Sequence, residues 1–362
     1  MSACPTWGSP GNAQHDFRTD SHTTPTMHML DALLNATFDD DVFREDSSTV
    51  QLEAAVAKMA GCEDACFALT GTMANQIALR VLFEQPPYAL LADKRAHILN
   101  YEAGGTAYLT GAMVQAVAPL NNLFLTLEDI KPRATITEDV QKAPTKVISL
   151  ENTAHGAITP LAEMRRISAW ARQHDIKLHL DGARLFQAVA TGAGSVRDFC
   201  ALFDTIHVDF SKNLGAPIGT MVLGSRDIIA RARRVRKALG GGLRPTGLIC
   251  VMMRAAVEEN FGWEGRGELA HGMRRSHAMA KRLGTEWQQR GGHLIRPVET
   301  NIVWLDIRAA GYIAETFAAV GAKYGVKLDG GRLVVHYQMT EDSVQRMLQV
   351  FDECFAISKA RL

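Results

Sequence analysis

Two short apolar runs, each leading into charged residues, set the strongest constraint on how this chain can fold. The first, Ile176-Lys177-Leu178-His179-Leu180, runs into Asp181-Gly182-Ala183-Arg184. The second, Ile206-His207-Val208-Asp209-Phe210, runs into Ser211-Lys212-Asn213. Between them lies a spacer with room for one helix. Strand, helix and strand in that order need a crossover connection, so the two strands are expected side by side and parallel. Their carboxyl ends would then bring an acid and an amine to one edge of the sheet.

The alternation extends over much of the chain. Runs 65–70, 88–91, 146–150, 177–180, 205–209 and 220–223 read as strands. Runs 27–34, 47–59, 74–83, 161–174, 195–202 and 226–239 read as helices, with Ser48 as a candidate cap for the second. This is the pattern of an α/β fold with a mostly parallel sheet covered on both faces. Gly240-Gly241-Gly242-Leu243-Arg244-Pro245 interrupts it, and a long apolar helix is expected over 246–259. After Trp263 the character changes to a helix at 276–289, strands at 300–305 and 332–336, and a closing helix at 341–355. The expected organisation is an extended arm over 1–26, a large domain over 27–262 and a small α+β domain over 263–362.

Charge and cysteine use narrow the function classes. The 39 basic and 39 acidic side chains cancel, which gives no electrostatic reason to expect a nucleic-acid or membrane partner. No apolar run approaches the roughly 20 residues of a membrane span. Cysteines at 4, 62, 66, 200, 250 and 354 lack the paired spacing of a zinc site, so no metal is expected and reduced, intracellular thiols are. The start of the chain lacks the charged-then-apolar pattern of a secretory leader. A cytoplasmic location is the expectation. The terminal Ala360-Arg361-Leu362 supplies an alternative, because it resembles a peroxisomal address.

Chemistry-bearing residues fall where expected strands end. Gly71 and Thr72 open a helix, where free backbone N–H groups and a hydroxyl suit a phosphate. His97 follows another strand and can stack on a planar ring or move a proton. Asn152 can bond a ring substituent, and His155 is a second proton carrier. In open α/β sheets, ligands gather at such carboxyl ends. Together with Asp181 and Lys212, these groups match the needs of pyridoxal 5'-phosphate: a lysine for the Schiff base and an acid for the pyridine nitrogen.

Motifs along most of the chain, including Gly71-Thr72-Met73-Ala74-Asn75, Glu151-Asn152-Thr153, Asp181-Gly182-Ala183-Arg184, Ser211-Lys212 and Thr300-Asn301, resemble those of the threonine aldolase family. That resemblance implies a PLP-dependent transferase-like fold of type I, with a seven-stranded sheet. It implies Lys212 as the covalent anchor, Asp181 at the pyridine nitrogen, His97 on the ring, and Gly71 with Thr72 at the phosphate. Arg244 would reach the phosphate from a neighbouring subunit, making the protein a homodimer or homotetramer with shared sites. Arg184 and Arg332 would hold the carboxylate of a small amino acid, helped by Thr19. The implied reaction is cleavage of threonine or allo-threonine to glycine and acetaldehyde. Racemisation of alanine, known among fungal members, is the alternative. Four positions depart from the family pattern: Phe43, Arg44, Ala154 before His155, and Pro245. They bear on the choice of reaction rather than on the cofactor.

Overall fold

The computed structural model describes residues 8–360. Cys4 and the end of the candidate address, Arg361 and Leu362, lie outside the described residues.

Seven strands make one sheet: β1 (Asp64–Ala68), β2 (Ala89–Asp93), β3 (Met113–Val117), β4 (Thr145–Glu151), β5 (Lys177–Gly182), β6 (Thr205–Asp209) and β7 (Thr220–Gly224). Their order is β1-β7-β6-β5-β4-β2-β3. All neighbours from β6 to β3 are parallel, and β7 runs antiparallel between β6 and β1. The expected parallel pairing of the Asp181 and Lys212 strands therefore holds, with Asp181 opposite His207. Lys212 itself stands in the turn after β6, three residues past the end of the strand.

Strand alternation splits the apolar residues between two faces. Ala65 and Phe67 enter one cluster with helices Ser47–Ala60 and Gly247–Asn260. Cys66 and Ala68 enter another with helices Gly71–Arg80 and Arg226–Ala238. A separate cluster forms beyond the sheet around Trp287, Phe317 and Phe351, and Phe17 from the N-terminal arm is buried in it. Two more strands, β8 (Ile302–Trp304) and β9 (Arg332–Val334), pair antiparallel beside it. Helix His271–Gln289 contributes Met273 to the first cluster and Leu283 and Trp287 to this one.

Several expectations need correction. β3 was not expected; it is an edge strand with mostly exposed or half-buried side chains, so it lacks an apolar run. The spacer between β5 and β6 holds two short helices, Leu185–Ala190 and Val196–Cys200, because the chain turns at Gly192-Ala193-Gly194. The cap of the 47–60 helix is Asp46, which accepts from Thr49 N–H, while Ser48 bonds Thr37 instead. The 276–289 helix starts earlier, at His271.

Candidate active site

The carboxyl ends of β1, β2, β4, β5 and β6 open into a cavity of about 680 Å³, walled on its far side by residues near β8 and β9. Nine residues singled out from sequence line it: Thr19, Gly71, Thr72, His97, His155, Asp181, Arg184, Lys212 and Arg332.

Two do not. Asn152 is fully buried, and its side chain exchanges hydrogen bonds with the Thr159 backbone at 3.3 and 3.4 Å. It fixes the turn after β4 and does not contact the cavity. Arg244 does not line this chain's own cavity; its side chain is 54% exposed, paired with Asp40 at 2.6 Å and placed over the Phe43 ring.

The floor is built by alternation on two strands. His179 and Asp181 on β5, and His207 and Asp209 on β6, stand two residues apart and so share one face. Gly182 lets the strands come this close, since a Cβ there would lie 2.4 Å from the His207 carbonyl. His207 Nε2 lies 3.5 Å from Asp181 Oδ1 and 3.6 Å from Asp209 Oδ1. Asp209 in turn pairs with Lys212 Nζ. Burial opposes the charge on Asp181, but His207 and Lys212 beside it hold its carboxyl well below the usual range. Asn75 Nδ2 secures the same carboxylate at 2.9 Å.

At the side wall, helix Gly71–Arg80 begins at the cavity with Thr70 as its cap, Oγ1 accepting from Met73 N–H at 3.1 Å. A Cβ on Gly71 would lie 3.0 Å from the Asp209 carboxylate, so glycine keeps that approach open. His97 Nδ1 lies 2.9 Å from Glu102 Oε1, a contact that fixes the ring's orientation. Buried Glu102 also accepts from Asn75 and Gln76. Glu151 accepts from the His97 backbone N–H; burial and the nearby Asp181 push its carboxyl up to about 8.

The two arginines differ. Arg184 is held bidentately by Asp20, at 2.7 and 2.9 Å, and Asn301 braces the same acid at 2.9 Å. Arg332 donates to the Arg18 carbonyl at 3.3 Å, and among the described residues no carboxylate pairs with it. Arg332 therefore has donors free for an incoming carboxylate, whereas much of the Arg184 fork is already engaged. His155 sits in the left-handed region at φ 53°. Its Nε2 donates to the Arg95 carbonyl at 3.1 Å, so Nδ1 keeps its lone pair. Burial, then Arg296, lowers its pKa to about 4, so the ring is neutral at neutral pH.

Sequence reading missed His207, Asp209, Asp20, Glu102 and Trp304. For the first two a signal was present: polar residues at every second place in strands otherwise apolar. Asp20 and Trp304 reach the site only through the fold, from the N-terminal arm and from β8.

The beta-eliminating lyase family profile matches residues 16–310. The chain is 48% identical to alanine racemase TOXG of Cochliobolus carbonum, over 96% of this chain and 89% of that one. It is 41% identical to the low-specificity L-threonine aldolase of Saccharomyces cerevisiae, over 96% and 88% of the two chains. Among solved structures, a threonine aldolase of Leishmania major superposes with a TM-score of 0.78 at 20% identity, over 94% of this chain and 99% of that one.

Proposed function

The chain belongs to the beta-eliminating lyase family, and from that premise we propose that it is a pyridoxal 5'-phosphate-dependent aldehyde-lyase. It cleaves L-threonine or L-allo-threonine to glycine and acetaldehyde. The observation that carries the reading is the joint placement of Lys212, Asp181, the Gly71 helix start and Arg332, which pairs with no carboxylate among the described residues, around one cavity.

The residues present fit the cofactor. The amine and a charged acid stand on adjacent segments of the sheet edge. The helix start supplies N–H donors beside the Thr72 hydroxyl, and a Cβ at Gly71 would crowd the approach. When bound, the pyridoxal ring supplies an electron sink for a bond broken at the substrate α-carbon. Lys212 is its covalent anchor and Asp181 pairs with its ring nitrogen. His97, fixed by Glu102, supplies a flat face for stacking. Arg332 binds the substrate carboxylate in bidentate fashion. His155, neutral and with Nδ1 free, takes the proton from the β-hydroxyl as the Cα–Cβ bond opens. Thr19 and Arg184 close the carboxylate end.

Lys212→Ala should abolish threonine cleavage while leaving circular dichroism unchanged. Turnover near the wild-type rate would contradict the assignment.

A second reading, alanine racemisation, is favoured by the 48% identity to TOXG. It also has a structural basis. The Tyr101 ring, its centre 5.5 Å from that of His97, lines the cavity and offers a second proton donor in addition to Lys212. The assembly we propose is a homodimer or homotetramer, supported by an exposed Arg244 that does not line its own chain's cavity. A cytoplasmic site of action is proposed as well, with Ala360-Arg361-Leu362 as a peroxisomal alternative. Fusing that tripeptide to a fluorescent protein distinguishes the two.

A further inference from the structure

We propose that Trp304 is a positioning residue that joins carboxylate capture by Arg332 to proton transfer by His155. This inference rests on the lyase reading above, which assigns those two roles.

Trp304 contacts both partners by different parts of its indole. On the β8–β9 pair it stands directly opposite Arg332, so the two side chains share a face. The Arg332 guanidinium carbon lies over the ring, 5.8 Å from its centre. A guanidinium over an indole face is attracted by the ring quadrupole. With no carboxylate to fix it among the described residues, Arg332 depends on this ring and on the Arg18 carbonyl for its direction. From the edge of the ring, Nε1–H donates to the His155 carbonyl at 2.9 Å. The same indole meets the His155 imidazole edge-on, with centres 6.2 Å apart. His155 is held in a left-handed backbone conformation, which a β-carbon disfavours, so this bond counters a real tendency to relax. A second guanidinium, Arg296, also lies over the ring, 5.0 Å from its centre.

The residue therefore spans the two bodies that close the cavity. His155 belongs to the turn after β4 of the large sheet, and Arg332 belongs to β9. A shift of either relative to the other must move the indole. Trp304 itself touches the substrate's binding groups and takes no proton.

Two variants separate the functions. Trp304→Phe keeps an aromatic face and loses the N–H; Trp304→Leu loses both. Glycine is the probe for the carboxylate end, because it carries a carboxylate and no β-substituent. Its affinity is read from the change in cofactor absorbance on titration. For Trp304→Phe, glycine affinity should stay within about threefold of wild type, as the aromatic face is kept. Its kcat for threonine should fall about fivefold or more, from loss of one hydrogen bond. For Trp304→Leu, glycine affinity should also fall, by roughly tenfold. Thermal melting of both variants separates these effects from global unfolding. A Trp304→Phe enzyme with wild-type kcat would overturn the His155 half. Wild-type glycine affinity in Trp304→Leu would overturn the Arg332 half. A wild type that fails to cleave threonine contradicts the lyase reading instead, and the glycine comparison still tests the contact with Arg332.

Discussion

At the scale of single residues, the lyase proposal places the choice of reaction on His155. Its Nε2–H is committed to the Arg95 carbonyl, and burial keeps the ring neutral, so the free Nδ1 is a base throughout the neutral range. Proton transfer by a placed side chain is worth ~10²–10⁴-fold. His155→Gln should therefore lower threonine cleavage by about 10²-fold or more, with glycine affinity retained, as read from steady-state kinetics and titration. Glu151 makes a second, thermodynamic prediction. Its carboxyl is raised from 4.5 to about 8 by burial and by Asp181. It holds its proton more tightly in the fold than in the unfolded chain. Its contribution to stability is thus full below pH 4.5 and is lost as pH rises through about 8. Glu151→Gln keeps an acceptor for the His97 N–H and cannot ionise, so chemical denaturation across that range should show a smaller alkaline loss than wild type.

At the scale of elements, the site is a property of the β5–β6 pair. Gly182 faces the His207 carbonyl so closely that a methyl group would meet it at 2.4 Å. Gly182→Ala should therefore force the strands apart, destabilise the protein by ~1–3 kcal/mol and weaken cofactor binding. Urea melts and absorbance titration measure the two effects. This pair was legible in sequence, because apolar residues alternate with chemistry-bearing ones and end on Asp181 and near Lys212. So was Gly71 as a helix start. The edge strand β3 was not legible, since a strand with one exposed edge needs no apolar run. Nor was the role of Asn152, whose amide looked like a ring contact and proved to bond the Thr159 backbone. A short polar residue beside a turn satisfies local backbone groups as readily as a ligand, and sequence does not say which way it points.

The whole molecule joins three remote parts of the chain at one cavity: the arm through Asp20, the large sheet through Asp181 and Lys212, and β8–β9 through Trp304 and Arg332. Such long-range closure explains why the arm read as little more than an extended segment. Its Asp20 gains meaning only when Arg184, far along the chain, packs against it. Arg244 extends the same logic outward. It lies beyond its own cavity, which suits our proposal that it completes the phosphate end of a neighbouring copy. The central claim is the reaction itself, and one measurement addresses it most directly. The cofactor-loaded enzyme is incubated separately with L-threonine, L-allo-threonine and L-alanine, and acetaldehyde and amino-acid enantiomers are quantified together. The account predicts acetaldehyde and glycine in equal amounts from at least one threonine diastereomer, with alanine left largely as the L form. Rapid interconversion of L- and D-alanine, with no acetaldehyde from either threonine diastereomer, would contradict it.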